Sequence, residues 1–396
     1  MRVAVIGGKL QGVEACYLAR RAGWEVMLVD KDPSPPARGL CDFFSQTDVV
    51  EQRERLPVIL GEVDLVVPAV EETEVLQSLA ETAGRSGIPL ALDLDAYGVT
   101  SSKIRSDRLF SRLGLPMPGR WPDCGLPVVA KPAESSGSRG VVRISDEESL
   151  SLFLKNHRSE LDRWVIQEYL EGPSYSLEVI GLEGRCVALQ VTALEMDSTY
   201  DCKRVLAPVD LPAALDEEFR KTAGVLARAL RLNGIMDVEV VLHEGRLKLL
   251  EIDARLPSQT PAVVEQSTGA NMLAFLQEVF LCSRLPEFSL TAAPRGVIYE
   301  HVRVWEGRLE VSGEHIMTTA GPLHMESDFF GADLALTNFS SLDRPWVATL
   351  IVTGGDLQKA WQRRRRVIHT IMEACNLAGY QDPGMAVSDP SGGGPE

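Results

Sequence analysis

Cysteine is sparse and unpaired in this chain: seven cysteines are scattered through 396 residues with no CxxC spacing. That excludes a disulfide framework and points to free thiols in a reducing compartment. No HExxH and no Cys/His cluster is present, so the spacing that holds zinc is missing. Basic residues are in deficit, 40 Lys and Arg against 56 Asp and Glu, for a net charge of −16. This balance argues against nucleic-acid or anionic-membrane partners. No apolar run approaches the ~20 residues that span a bilayer. The chain opens directly on the strand-like MRVAVIGG, which leaves no room for a signal peptide. A cytoplasmic protein is expected. There is no internal repeat. The one basic run, Arg363 to Arg366, lies in AWQRRRRVIHTIMEA and reads as the solvated face of an amphipathic helix.

What is present is an ordinary globular composition, 45% hydrophobic and 24% charged, long enough for two or three domains. Residues 1–97 alternate strands and helices: RVAVIGG, a helix over GVEACYLARRAG, WEVMLVDKDP ending at Asp30, DLVVPAV (64–70) and PLALDLD (89–95). Apolar strands joined by helices predict a Rossmann-like parallel sheet, with ligands at the carboxyl ends of its strands. A second unit (98–178) holds a helix in SSKIRSDRLFSRLG, the strand PVVAKPA, the loop ESSGSRG, a helix from Asp146 and the strand WVIQEYL. A third (179–378) carries further strands at 296–305 and 346–353 and a closing helix over 355–378. Residues 379–396, ending in SDPSGGGPE, read as a disordered tail. The fold class expected is thus mixed α/β and α+β.

The most informative segment is IMDVEVVLHEGRLKLLEIDAR (235–255). Two apolar runs flank a turn-like HEGR, which predicts a β-hairpin. Glu251 and Asp253 are two apart and share a strand face, Glu239 falls close to opposite Glu251, and Asp237 shares its face. Converging carboxylates are costly unless a cation neutralises them, and oxygen-only ligands favour Mg²⁺. A solvated acidic sheet edge is the alternative.

The N-terminal Gly7, Gly8 and Gly12 with Asp30 imitate a dinucleotide fingerprint, but GGKLQG departs from G-x-G-x-x-G. It reads as a ligand-facing loop at Lys9, Leu10 and Gln11 that does not require NAD. Lys103 and Lys131 suit polyphosphate contact as point charges, or are surface lysines. SSGSRG (135–140), with Ser136 and Ser138, suits a phosphate cover or is a plain hairpin loop. QEYLEG (167–172) offers hinge backbone to an adenine edge.

Taken in order, Lys103, the AKP strand, SSGSRG, QEYLEG, Glu239, Glu251 and Asp253 resemble the ATP-grasp superfamily, over residues 1 to 375. The resemblance implies two α+β subdomains closing on ATP behind a Rossmann-like domain. Lys103, Lys131, Ser136 and Ser138 then contact phosphates. Gln167, Glu168, Tyr169 and Leu170 form the adenine hinge, with Glu171 or Glu178 on the ribose. Gln11 and Gly12 are also carried over as nucleotide contacts. Asp237, Glu239, Glu251 and Asp253 hold two Mg²⁺ ions, with Mn²⁺ as a substitute, and Arg255 steadies an acyl phosphate. The family usually has Asn where this chain has Asp253, which adds negative charge.

Within the superfamily, GGKLQG, the VEE of 70–72 and LEIDARLPSQTP (250–261) are similar to the amino-acid ligases of pyrrolysine biosynthesis. That resemblance implies an amide between the carboxylate of (3R)-3-methyl-D-ornithine, or D-ornithine, and the ε-amine of L-lysine. It puts Arg255, Ser258, Gln259, Thr260, Glu178 and either Glu300 or His301 around the acid, and Leu10, Gln11 and Glu71 around lysine. For Glu71 the alternative is a helix N-terminal acid. The implied partners are small molecules only, in a monomer or homodimer. Rival readings are another carboxylate–amine ligase of the same family, a carboxylase acting through carboxyphosphate, an NAD-dependent oxidoreductase and a non-catalytic nucleotide sensor.

Overall fold

The buried VAVI of the first strand forms the middle of a parallel sheet, as its unbroken apolar run requires. In the computed structural model, which describes residues 1–135, 137–290, 293–342 and 344–384, β1 (Arg2–Ile6), β2 (Glu25–Asp30), β3 (Phe43–Gln46) and β4 (Leu65–Pro68) pair in the order β3-β2-β1-β4. Residues 89–95 do not add the expected fifth strand. Only Leu90 bridges to Val66. Asp93 then accepts the N–H of Ala96 and caps a helix over Leu94–Thr100.

A small antiparallel sheet follows, β5 (Val128–Pro132) between β6 (Val142–Ile144) and β7 (Trp164–Glu168). The helix Glu147–Asn156 covers it, with Leu150 and Phe153 packed on Val128, Ala130 and Ile144. The SSGSRG segment links β5 to β6.

The remaining strands are β8 (Ser174–Leu182), β9 (Arg185–Met196), β10 (Cys202–Ala207), β11 (Gly234–His243), β12 (Arg246–Asp253), β13 (Gly296–Trp305), β14 (Arg308–Val311), β15 (His324–Phe329), β16 (Ala332–Thr337), β17 (Trp346–Gly354) and β18 (Gly379–Gln381). They make one sheet in the order β12-β11-β8-β9-β10-β13-β17-β16-β15, with β14 on β13 and β18 on β14. The boundary expected at 178 therefore falls inside β8. Residues 379–381, expected in a disordered tail, pair with β14, and Asp382 accepts from Lys203 at 2.6 Å. The rest of that expected tail, 385–396, lies outside the described residues.

The closing helix runs Leu357–Ala374. The helix Ala213–Leu230 buries Phe219, Ala223 and Leu226 against Leu177, Val179, Met236 and Val238 on one sheet face. The alternate residues of β8, β11 and β12 thus point the other way. There the helix Thr260–Thr268 packs beside Ile180 and Ile235 and touches the N-terminal helix Leu10–Arg21. No helix among the described residues is long and apolar enough to cross a membrane.

Candidate active site

The 235–255 segment folds as the expected hairpin, in the register that collects its acids. Asp237 faces Asp253 and Glu239 faces Glu251 across β11 and β12. On the other side of β11, Asp237 faces Glu178 and Glu239 faces Ser176 of β8. Two rows of oxygen ligands thus cross three strands. A register shift after Glu239 leaves Leu250 as an extra residue in β12. That bulge lets Leu250 and Glu251 both line the cavity below.

Burial makes this arrangement electrostatically expensive. Desolvation, and then Glu239 and Asp253, hold the Asp237 carboxyl far above the usual carboxylate range. Burial and Glu251 raise Glu239. Burial raises Asp253, with Arg255 opposing and Glu251 adding to it. Asp237 Oδ1 and Asp253 Oδ1 are buried without a hydrogen-bond partner. Orphaned carboxylate oxygens suit a hard divalent cation. The solvated-edge alternative does not fit Asp237, which is 6% exposed, while Glu251 keeps a side chain 32% exposed.

Lys103 and Lys131 come to the same place from separate elements. Lys103 heads the helix Lys103–Leu113, and its Nζ lies 2.8 Å from Glu251 Oε1. Lys131 is buried on β5, where desolvation pushes its pKa down. From the loop between β5 and β6, Ser138 Oγ donates to the Tyr200 carbonyl at 2.5 Å; Ser136 lies outside the described residues. The hinge residues Gln167, Glu168, Tyr169 and Leu170 line the cavity. Two of them have structural work: Glu168 accepts from Lys248 at 2.8 Å and from the Gly119 N–H at 2.9 Å, and the Tyr169 N–H donates to Pro127. Glu171 does not line the cavity; its backbone bonds His243.

Arg255 follows directly on the acid row. Its Nε is 2.8 Å from Asp253 Oδ2 and its Nη2 is 2.8 Å from Glu71 Oε1. Burial opposes its charge, but Asp253 and Glu71 outweigh that and push the guanidinium pKa up. Glu71 Oε1 also accepts from Gln11 Nε2 at 3.2 Å. A chain Gln11–Glu71–Arg255 therefore joins the N-terminal loop to the acid rows. Tyr97 donates to the Glu71 carbonyl and the Ala254 N–H to Thr100, which fixes both ends. Leu10 opens the helix Leu10–Arg21 beside Gln11.

Gly12 and Glu300, like Glu171, do not line the cavity. A Cβ on Gly12 would meet the Gly7 carbonyl oxygen at 2.1 Å, so close helix–strand packing explains that glycine rather than a bound nucleotide. Glu300 points away from the cavity, into Arg204 (Nε to Oε2 2.9 Å) and Arg364 (Nε to Oε1 2.7 Å). His301 turns the opposite way, onto Thr349 Oγ1. The dinucleotide imitation is likewise spent internally. Asp30 accepts the N–H groups of Gly8 and Asp32, and Pro35 packs where a Gly8 side chain would stand.

The cavity encloses about 280 Å³, and its far wall is Ser258, Gln259 and Thr260. Gln259 is held at φ 71°, in the left-handed region. One carboxylate in that wall has no signal in the sequence. Glu314, in the turn after β14, accepts from Ser258 Oγ at 2.8 Å and Gln259 Nε2 at 2.7 Å through Oε2. It lies 55 residues from Gln259 in the chain, outside any motif.

Comparison with known proteins places this geometry. The ATP-grasp domain profile matches residues 100–259. The chain belongs to the ATP-grasp family and is an ATP-dependent, ADP-forming carbon–nitrogen ligase. Within that class it is similar to the 3-methyl-D-ornithine–L-lysine ligase of Methanosarcina mazei, 34% identical over 366 residues, 92% of this chain and 94% of the relative. The ligase of the same description from Methanosarcina acetivorans is 33% identical over 365 residues, 92% of this chain and 95% of the relative. Two solved structures share the fold at 15% identity. An ADP complex of N5-carboxyaminoimidazole ribonucleotide synthetase has a TM-score of 0.69, covering 94% of this chain and 97% of that one. The biotin carboxylase domain of Hydrogenobacter thermophilus 2-oxoglutarate carboxylase has a TM-score of 0.70, covering 93% and 89%.

Proposed function

We propose that this ligase joins the carboxylate of 3-methyl-D-ornithine to the ε-amine of L-lysine through an acyl phosphate. The observation that carries the choice of cationic substrates is charge. Three basic side chains line the cavity against seven acidic ones. ATP adds further negative charge, and two divalent cations offset only part of the total. Two diamino acids, each carrying a net positive charge, offset a further part of it. The full-length similarity to the two Methanosarcina ligases supports the same pair.

The residues fit the parts that phosphoryl transfer needs, which are mostly alignment and charge neutralisation. Asp237, Glu239, Glu251 and Asp253 would hold two Mg²⁺ ions, or Mn²⁺ in their place. When bound, the cations neutralise phosphate oxygens as charge develops on them. Lys103, Lys131 and Ser138 cover the phosphates, while Gln167, Tyr169 and Leu170 take the base. The substrate carboxylate attacks the γ-phosphorus, ADP leaves, and an acyl phosphate results. Arg255 keeps its charge and stands beside the forming phosphate. The lysine ε-amine then attacks the acyl carbon, and inorganic phosphate departs. Ser258, Gln259, Thr260 and Glu178 hold the acid substrate; Leu10, Gln11 and Glu71 take L-lysine. Closure of the lid excludes the water that would hydrolyse the intermediate.

The test is omission. With ATP, Mg²⁺, L-lysine and D-ornithine together, phosphate release and a product with the mass of both amino acids less one water are expected. Release that does not depend on one of the two amino acids contradicts the assignment.

A further inference from the structure

Hydrogen-bond acceptors crowd the wall at 258–260. Gln259 Oε1 is buried without a partner among the described residues, in a residue 4% exposed, and the Thr260 hydroxyl turns onto the fully buried Glu178 carboxylate. Unpaired buried acceptors cost about 1–3 kcal/mol each unless a ligand supplies donors. Glu314 borders them and lines the cavity. Its Oε2 is held by two neutral donors, Ser258 Oγ and Gln259 Nε2, which orient the carboxylate without cancelling its charge. Burial pushes the Glu314 carboxyl up, Asp201 adds to this, and Arg255 opposes it in part. Asp201 is acidic and bonded to His315, and Glu14 is a further carboxyl behind the wall. The cavity's cations bond elsewhere, Lys103 to Glu251, Lys131 to the Leu250 carbonyl and Arg255 to Asp253 and Glu71.

The wall is also held rigidly. Glu14, from the N-terminal helix, accepts the Ala262 N–H at 2.6 Å and the Gln259 N–H. These bonds brace Gln259 in its left-handed conformation, which has a conformational cost on the order of 1–3 kcal/mol. An acceptor-rich pocket with one carboxylate oriented by neutral donors matches an ammonium group, which carries three donors and no acceptor.

We infer that Glu314, with Gln259 and Thr260, recognises the side-chain ammonium of the acid substrate and sets the selectivity for a diamino acid over a neutral one of the same shape. The inference rests on the ligase reading above and assigns a residue to its specificity. Glu178 is the weaker candidate for this role, because Ser176 Oγ already holds its Oε1 at 2.9 Å and it faces Asp237 in the metal row.

The experiment compares D-ornithine with D-norvaline, which has the same carbon chain without the amine. The wild type, Glu314→Gln and Glu314→Asp are assayed with ATP, Mg²⁺ and L-lysine. The kcat/KM ratio of D-ornithine to D-norvaline should fall about 10–100-fold in Glu314→Gln, the scale for losing a charged partner. It should recover in part in Glu314→Asp. A parallel loss with both acids, leaving the ratio unchanged, overturns the inference while the ligase reading stands. Calorimetric titration of D-ornithine into each protein with MgADP separates the two claims. Wild-type binding without turnover, with binding lost in Glu314→Gln, sustains the ammonium site and removes the substrate assignment. Equal binding to wild type and Glu314→Gln, or no binding to either, overturns the site.

Discussion

Glu251→Gln should separate metal binding from folding, because the two respond to this side chain in opposite directions. In the folded chain Glu251 faces Glu239, whose proton affinity burial and Glu251 together raise. Replacing it with a neutral amide relieves that repulsion. Against this, Lys103 loses a partner at 2.8 Å, a part-buried pair worth about 1 kcal/mol after solvent screening. Stability without ligands should therefore stay within about 1 kcal/mol of wild type. Nucleotide binding should not. At MgADP 100 times the wild-type Kd, binding stabilises by about 2.7 kcal/mol, and a site weakened ~100-fold keeps only about 0.4. With an unfolding entropy of about 0.8 kcal/mol/K for this length, about 3 °C of ligand-induced Tm shift disappears. ADP formation should drop on the order of 10³-fold. Melting curves with and without MgADP, beside a coupled ADP assay, read both effects. A Glu251→Gln protein with the wild-type shift and turnover would refute the metal assignment.

Three further outcomes are expected. Glu71→Ala should raise the KM for L-lysine tenfold or more while the KM for ATP changes less than about twofold; an equal rise in both counts against Glu71 as a lysine contact. Gly12→Ala should destabilise the fold by more than about 2 kcal/mol in denaturant titration, since its Cβ meets the Gly7 oxygen at 2.1 Å; an unchanged midpoint would show that the packing reading is wrong. His301 is buried neutral, its pKa pushed down to about 3 by desolvation and then by His315. The unfolded chain takes up its proton below about pH 6.5 and the folded chain does not, so this group lowers stability as the pH falls. Between pH 7 and pH 5 the loss is about 2 kcal/mol, and the difference in unfolding free energy between wild type and His301→Gln should shift by that amount over the same interval.

The acid rows were legible because a strand repeats every two residues and the HEGR turn fixes which strand positions oppose. Glu251 and Asp253 needed no partner from elsewhere to reveal their face. The bulge at Leu250 was not legible, since its cause is the pairing itself. Residues 89–95 looked like a strand from their apolar residues, and the Asp93 cap took the chain into a helix. Glu300 was correctly placed on a strand, but its face was decided by Arg204 and Arg364, the second 64 residues away. Glu314 shows the same limit from the other side: a turn residue without a motif becomes part of the wall only when β14 brings it to Ser258 and Gln259. Gly12 was read as a nucleotide contact, because the Gly7 carbonyl it packs against leaves no mark in the sequence.

The most direct measurement of the acyl-phosphate claim follows oxygen. D-ornithine labelled with ¹⁸O in its carboxylate is converted with ATP, Mg²⁺ and L-lysine, and the released phosphate is analysed by ³¹P NMR or mass spectrometry. One ¹⁸O per phosphate is expected, carried over when the carboxylate oxygen that attacked the γ-phosphorus departs with it. Amide product accompanied by unlabelled phosphate would contradict the mechanism.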